Sequence, residues 1–487
     1  MKTGPSLTVL LLGAIAAILN QTVLNVALPT IIETFHVQAS TAQWLITLYM
    51  LINGVTIPIT AFLMERYSTR QLFFSAMFIF SIGTLLCGMA PAFSILLFGR
   101  IVQATGAGII MPLLFSVVFR LFPMERRGAV MGMVGIAITF APAVGPTLSG
   151  ILLEKLSWHY IFLSVLPFSL AALIASSFIL RNVSEPKPVK LDVLSVILST
   201  LGFGGILYGF GSAGVLGWGS PYVITAIVIG MISLAWFAAR QLRLEQPLIN
   251  LEIFKSAEYT FSIVISFLVN CVTFASMILL PIYLQSSRGM SALETAFFLL
   301  PGTILMGITS PLAGRLYDRF GVKWLGFIGM LLLVMTTAFY TNLTETTGVL
   351  PMVIVYTVRS FGLTFLFMPL MTAGLNALRP ELHGHGATMQ NTLQAIAGSI
   401  GAAIMTTIMT AQSNLYIAEE MSRAGIAPSA TGSIGDIAAA GLLHGVNRSF
   451  TAAAIFAAAG LANMIALAVI LDRKKRDICI VHEATNK

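Results

Sequence analysis

Long uncharged apolar stretches, separated by short polar segments, follow one another along the whole chain. The first extends from Leu7 to Ile32 and contains no charged residue. A helix needs about 20 apolar residues to cross a hydrocarbon core of about 30 Å, and it satisfies its own backbone polar groups there. The pattern therefore predicts fourteen membrane-spanning helices, near residues 7–32, 43–64, 71–90, 94–119, 128–153, 158–180, 191–212, 221–239, 259–284, 293–314, 323–341, 349–375, 387–412 and 447–471.

Composition excludes a water-soluble globular protein. Hydrophobic residues make up 57% of the 487 positions and charged residues only 9%, with a mean hydropathy of +0.91. Soluble domains carry about 25% charged residues. The sequence therefore predicts an all-α polytopic membrane protein.

Basic residues are distributed unequally between the two sides of the predicted membrane. If the N-terminus is cytoplasmic, 21 of the 27 Lys and Arg residues fall in inner loops and tails, and 4 in outer segments. Arg100 and Arg359 fall inside spans. Because cytoplasmic loops carry the excess of Lys and Arg, we expect both termini to be cytoplasmic in a multi-pass protein of the cell membrane. The net charge of +8 then reflects loops facing anionic lipid rather than a nucleic-acid partner.

Two pairs of similar segments in the sequence indicate an internal duplication. The segment AFLMERYSTR at 61–70 resembles GRLYDRFGVK at 314–323, at an offset of 253, and Pro112 and Pro369 lie in a second similar pair at an offset of 257. Parallel halves with a polar site at their interface are typical of transporters. We therefore predict a six-helix half over 1–182, a linker with two extra helices over 183–257, and a second six-helix half with a tail over 258–487.

Motifs at these positions resemble those of the major facilitator superfamily. The loop motifs, Arg100 with Gln103, and APAVGP at 141–146 carry the resemblance, while LNQTVLNVALP at 19–29 and WHYIFLSVLP at 158–167 narrow it to the fourteen-helix drug:H+ antiporters. The resemblance covers essentially the whole chain. It implies a monomeric secondary transporter that exports amphipathic drugs, dyes or antibiotics by alternating access, driven by a proton gradient and without a cofactor.

The resemblance also assigns a gating role to the loops and to the fifth span. An acid at a helix end can pair with the following Arg, or with the partial positive charge at a neighbouring helix N-terminus. The alternative for the loops is topological anchoring, and for APAVGP it is a simple packing face. The gating candidates are Glu65, Arg66, Arg70, Asp318, Arg319, Lys323, Pro142, Gly145 and Pro146.

Polar residues embedded in the spans predict the cavity. An Arg inside an apolar span costs roughly 2.5–3.5 kcal/mol on insertion scales and needs water or a partner. Gln103 lies three residues after Arg100 and therefore on the same helical face. Snorkelling of Arg100 toward the membrane rim is the alternative. The candidates for the substrate cavity and coupling are Asn20, Asn25, Thr47, Arg100, Gln103, Arg359, Gln390 and Asn391.

The sequence departs from the drug-exporter motif at Asn20, where the family has Asp. We place all 19 acidic residues in loops or at rims, so none lies at midplane. A buried carboxylate with a raised pKa is the usual proton carrier, and an amide cannot replace it. The remaining candidates are Glu154, Glu294 and Asp192, each near a span end where partial burial would raise the pKa. We expect neutral, zwitterionic or anionic amphipathic substrates rather than strongly cationic ones.

Other functions find less support in the sequence. The chain lacks a GxxxxGK[ST] phosphate loop, and we identify no embedded catalytic or metal-binding cluster, so we expect neither an ATP-driven pump nor an enzyme. His383 and His385 are expected to form a solvated pair in a short inner loop. Two alternatives remain: an exporter or flippase of a lipid or peptide-like metabolite, and a non-transporting membrane sensor or scaffold.

Overall fold

A computed structural model describes residues 4–183, 186, 188, 191–424 and 431–485; side chains at 25–26, 39–40, 142–143, 146–147, 214–215, 292, 424, 431–436 and 473–485 lie outside the description. Within these residues the chain forms helices and no strands. The helices are α1 Gly4–Phe35, α2 Ala39–Ala42, α3 Trp44–Arg66, α4 Thr69–Gly88, α5 Phe93–Leu121, α6 Met124–Lys155, α7 His159–Leu163, α8 Leu166–Ile179, α9 Val193–Leu216, α10 Pro221–Gln241, α11 Ala257–Ile282, α12 Ala292–Phe339, α13 Val349–Thr364, α14 Phe367–Asn376, α15 His383–Ala424 and α16 Thr431–Thr485.

The number of spans agrees approximately with the sequence. Length and apolar composition identify 12 candidate spans in the described residues, so the prediction of an all-α membrane protein is confirmed. One candidate covers Leu293–Asn342, and Gly321 interrupts it with a φ of 72°, a conformation that favours glycine. The 32-residue helix α6 lies outside those 12. If α6 is added to the 12 candidates and α12 is counted as two spans, the total agrees with the predicted fourteen.

The first and last groups of helices pack as two bundles that share a long interface. Helices α1, α3, α4, α5, α6 and α8 contact one another, as do α11 to α16. The bundles meet where α6 packs on α12 and α14, and where α15 packs on α3 and α5. One hydrophobic cluster continues across this interface, from Phe73 and Phe119 in the first bundle to Tyr259 and Leu375 in the second. The interface is therefore a continuous packed core.

Helices α9 and α10 form the insertion between the bundles. They pack closely on each other, and α9 also contacts α3 of the first bundle and α15 of the second. The indole Nε1 of Trp218, in the α9–α10 loop, donates to Thr407 Oγ1 of α15 at 2.5 Å. The insertion thus contacts both bundles on the side of the interface where α3 and α15 meet. The exact domain boundaries stay a prediction.

Candidate functional site

Arg100 lies at the centre of a buried polar cluster in the first bundle. It is 1% exposed, so snorkelling to the rim does not describe it. Its Nε donates to Leu45 O at 3.2 Å, and its Nη1 donates to Gln103 Oε1 at 2.9 Å and Asn20 Oδ1 at 3.4 Å. The guanidinium also lies over the ring of Tyr49, at 4.0 Å from its centroid. The embedded cation therefore rests on neutral acceptors and an aromatic face.

Gln103 extends the cluster to α4. Its Nε2 donates to Thr84 Oγ1 at 2.8 Å, which in turn donates to Phe80 O at 2.8 Å. Gln103 thus turns its acceptor toward Arg100 and its donor toward α4. Asn20 is fully buried, and its Nδ2 has no hydrogen-bond partner among the described residues. The cluster therefore carries one positive charge and an unused amide donor, without a described carboxylate against them.

Arg359 forms a related cluster in the second bundle. It is 1% exposed, and it donates from Nη1 to Thr337 Oγ1 at 2.8 Å and from Nη2 to Val272 O at 3.0 Å. Thr337 stands 253 positions after Thr84, the same offset that separates the two loop motifs. Each bundle therefore contains an embedded arginine connected to a threonine of the preceding helix, directly for Arg359 and through Gln103 for Arg100.

The remaining cavity candidates do not all join these clusters. Thr47 is half-buried on α3. Gln390 and Asn391 are buried on α15, and Asn391 Nδ2 donates to Ala387 O at 2.8 Å within its own helix. No described hydrogen bond connects these amides to Arg100 or Arg359. The side chain of Asn25 lies outside the described residues.

Asp318 connects the second bundle to the first. Its Oδ1 and Oδ2 accept from the backbone N–H groups of Gly128 and Ala129, both at 2.8 Å, in the second turn of α6. The acid thus contacts the N-terminal part of a neighbouring helix rather than Arg319. Charge-assisted bonds of this kind are shorter and stronger than neutral ones. We call this contact the Asp318 latch, and the end of the bundle that contains it the Asp318 end.

A pair of glycines allows the helices to approach at this latch. A Cβ on Gly314 of α12 would lie 2.8 Å from the carbonyl carbon of Gly128, and a Cβ on Gly128 would lie 2.7 Å from Tyr317. Contacts under about 3 Å do not occur for real side chains, because packed interiors leave no room for them. The crossing of α6 and α12 therefore requires glycine at both positions, and it brings the Asp318 carboxylate to the α6 backbone.

Two further bonds hold the bundles together near the latch. Arg127 Nη1 donates to Asn376 Oδ1 at 2.6 Å, and Ser310 Oγ donates to Gly132 O at 2.9 Å. Both join α6 to the second bundle. The structure therefore shows the Asp318 end of the interface closed.

His385 forms a second contact between the bundles, which the sequence did not indicate. The prediction of a solvated loop pair was wrong, because His383 and His385 belong to the first turn of α15 and are 2% and 6% exposed. His385 Nε2 lies 3.0 Å from Glu65 Oε1 of α3, and the backbone N–H of Asn250 donates to His385 Nδ1 at 3.3 Å. Glu65 thus pairs with a side chain of the other bundle.

The other loop candidates stay within their own bundle. Arg66 is exposed, whereas Arg70 donates from its guanidinium to Ser177 O and from its backbone to Asn182 Oδ1 at 3.1 Å. Arg319 lies over the ring of Phe320, and Lys323 Nζ bonds to Asp472 Oδ2 at 2.6 Å. Arg70 and Lys323 therefore connect to other segments of their own bundle.

The APAVGP segment of α6 packs on α1. A Cβ on Gly145 would lie 3.1 Å from Thr22 Cβ, and Ser149 Oγ donates to Val23 O at 2.6 Å. The side chains of Pro142 and Pro146 lie outside the described residues. This segment therefore brings α6 close to the part of α1 that carries Asn20.

The three acids expected to carry protons are not buried. Glu154 is exposed, and Glu294 accepts from the backbone N–H of Ser291 at 2.7 Å as part of an exposed helix cap. Asp192 binds Arg240 at 2.7 and 2.9 Å, and this guanidinium lowers the pKa of the carboxyl from 3.8 to about 2. The expectation of a raised pKa is therefore wrong for Asp192, because an ion pair and not burial dominates its surroundings.

Sequence comparison identifies the family that this arrangement suggests. The profile of the Major Facilitator Superfamily matches residues 10–402. The chain belongs to the major facilitator superfamily. It is thus a multi-pass membrane protein of a family of transporters.

Several relatives in this family align over most of the chain. The MFS-type transporter YhcA of Bacillus subtilis is 46% identical over 85% of this chain and 78% of its own length. The lincomycin resistance protein LmrB of Listeria monocytogenes is 39% identical over 94% of this chain and 95% of its own length. The crystal structure of the human organic anion transporter MFSD10 (TETRAN) has the same fold, with a TM-score of 0.66 at 14% identity over 94% of this chain and 99% of that one.

Proposed function

We propose that the protein is a secondary active transporter that exports amphipathic small molecules from the cell in exchange for protons. The Asp318 latch carries this proposal, because it closes one end of the interface through a contact that must break when the bundles separate there. Relatives named for lincomycin and multidrug resistance support drugs or antibiotics as substrates.

The charge of the embedded clusters supports a particular substrate class. Arg100 and Arg359 are buried, and their described hydrogen bonds go to neutral acceptors only. A lipophilic cation approaching these clusters meets like charge at low effective dielectric, whereas a neutral or anionic amphipathic molecule does not. Substrates without a strong positive charge therefore fit this interior best.

The orientation belongs to the proposal too. The excess of Lys and Arg in alternate loops supports a cytoplasmic location for the Asp318 end and for both termini, in the cell membrane. In that orientation the structure is closed toward the cytoplasm, the state in which a transporter releases substrate outward.

A proteoliposome assay tests the proposal. Vesicles containing the protein receive an imposed pH gradient, and uptake or release is followed for lincomycin, for a neutral dye and for a cationic dye. We expect gradient-dependent movement of the lincosamide or the neutral dye, loss of movement in Arg100→Gln, and no change in Arg423→Gln, whose side chain pairs with Glu420 at an exposed helix end. Glu154→Gln and Glu294→Gln determine whether either rim acid takes part in coupling.

Other outcomes would contradict the proposal. Substrate movement at the same rate with and without the pH gradient would show that transport is not coupled to protons. If the parent protein moves none of these compounds and the Arg100→Gln variant gives the same result, the sensor or scaffold alternative is favoured.

A further inference from the structure

We propose that Glu65 and His385 form a proton-binding site at the Asp318 end, and that proton uptake there releases the linker segment Asn250–Lys255 from α15. The role of this site in transport rests on the proposed function, but the proton-dependent release does not. The inference begins with geometry. His385 joins three parts of the chain: its own bundle, Glu65 of the first bundle at 3.0 Å, and the linker through Asn250 N–H at 3.3 Å.

The hydrogen-bond roles define the charge of the ring in this arrangement. An imidazole nitrogen that accepts a bond must be unprotonated, and a neutral ring then carries its proton on the other nitrogen. Because Asn250 N–H donates to Nδ1, the proton lies on Nε2 and is donated to Glu65. A second proton would occupy Nδ1 and place it against the N–H of Asn250. Protonation therefore replaces the linker contact with an ion pair to Glu65.

The surroundings bring further charges near the pair. Glu65 of α3 bonds to the ring directly, and Arg120 of α5 acts electrostatically on both Glu65 and Glu381. On α15 itself, His383 Nε2 bonds to Leu378 O. Arg127 of α6 and Glu381 act electrostatically on His383. Tyr259 of α11 donates to Gly386 O, and Glu252, Lys255 and Arg379 form an exposed network beside the linker segment. Glu65 is the acid in hydrogen-bond contact with the ring.

The Glu65–His385 contact and the Asp318 latch occupy equivalent positions in the two halves but use different hydrogen-bond donors. Glu65 and Asp318 stand 253 positions apart, but Ala61 occupies the place of Gly314. The Asp318 latch uses close backbone approach and amide donors, which do not titrate. On the Glu65 side a longer acid and an imidazole span the gap, so the donor there is a ring that can take up a second proton.

Cysteine labelling of the linker tests the release. In the full-length protein with its three native cysteines replaced, one reporter is placed at Ile253, which is fully buried, and a reference at Lys255, whose side chain is 77% exposed. The ratio of maleimide rates at the two positions cancels the pH dependence of the thiol. Between about pH 8 and about pH 5.5 we expect this ratio to rise about fivefold, the factor that one lost hydrogen bond of about 1 kcal/mol gives.

Two substitutions of the ring separate its two nitrogens. His385→Asn places an acceptor near the Nδ1 position and cannot take up a proton, so we expect a low ratio at every pH. His385→Gln keeps a donor toward Glu65 and loses the linker acceptor, so we expect a high ratio at every pH. Glu65→Gln should move the rise to lower pH, because the protonated ring loses its ion-pair partner.

A matched control and the opposing outcomes complete the test. His36→Asn changes a histidine in a turn with a φ of 51°, which Asn tolerates, and should leave the parent curve unchanged. The proposal would be overturned by a flat curve in the parent or by an unchanged rise in His385→Asn. It would also be overturned if the rise disappeared in His36→Asn or if the Glu65→Gln curve did not move. The labelling needs no substrate, so a wild-type protein that exports nothing would refute the proposed function alone, while a flat ratio in an active exporter would refute this site alone.

Discussion

Replacing Asp318 with Asn should open the Asp318 end of the interface. The carboxylate accepts two bonds of 2.8 Å from Gly128 and Ala129. The amide keeps one acceptor and turns an NH2 group toward the other backbone N–H, so one bond is lost and two donors face each other. Bonds to charged groups contribute about 1.5–3 kcal/mol, and the lower value applies to this half-buried acid.

A loss of about 1.5 kcal/mol changes the ratio of closed to open molecules about tenfold. Spin labels report this ratio when they are attached at Met124 of the first bundle and Trp324 of the second, which are 55% and 60% exposed. In Asp318→Asn the population at longer distances should grow about tenfold relative to the parent, by the same relation. The control is Glu420→Gln, the same acid-to-amide change in a pair within one helix. An unchanged distance distribution, or an equal change in the control, would refute the latch.

Three more substitutions follow from the same structure. Gly314→Ala should shift the same spin-label distances to longer values, whereas Gly150→Ala, with nothing within 4 Å of its added Cβ, should not; equal effects would contradict the close crossing. Asn20→Asp places a carboxylate beside Arg100 and should widen resistance toward lipophilic cations, and an unchanged minimum inhibitory concentration profile would count against it. Asp192→Asn should lower the unfolding temperature at neutral pH, and the difference should shrink as the pH falls from 3.8 toward 2, where the parent carboxyl takes up its proton; a pH-independent difference would show that the ion pair is not its cause.

The positions of the helices follow from the sequence because the bilayer fixes how long an apolar stretch must be. The predicted span 221–239 corresponds to Pro221–Gln241, and 43–64 to Trp44–Arg66. Interruptions within spans were not predicted. The sixth and twelfth spans are each divided into two helices, around Ser164 and Phe365, and apolar periodicity alone does not show such breaks.

The sequence predicted the local part of the site better than its tertiary contacts. Gln103 follows Arg100 by one turn, so helical spacing alone placed them together. The bond from Arg100 to Asn20 joins residues 80 positions apart, and the one from His385 to Glu65 joins residues 320 apart, so both depend on how helices pack. His385 was assigned, with Gly384 and Gly386, to a short loop between the predicted spans 349–375 and 387–412. The glycines instead lie in the first turns of α15, where the helix packs closely on α3, α5 and α11.

The single-sided position of α9 has a consequence for how the halves move. This helix contacts both α3 and α15, and the loop after it is bonded to α15 through Trp218. A helix that connects the two bundles on one side acts as a hinge, so the displacement of the bundles during opening grows with distance from α9. The crossing of α6 and α12, which holds the Asp318 latch, should therefore move further than the α3–α15 contact, and the proposed alternating access would be a swing about α9 rather than a symmetric rocking.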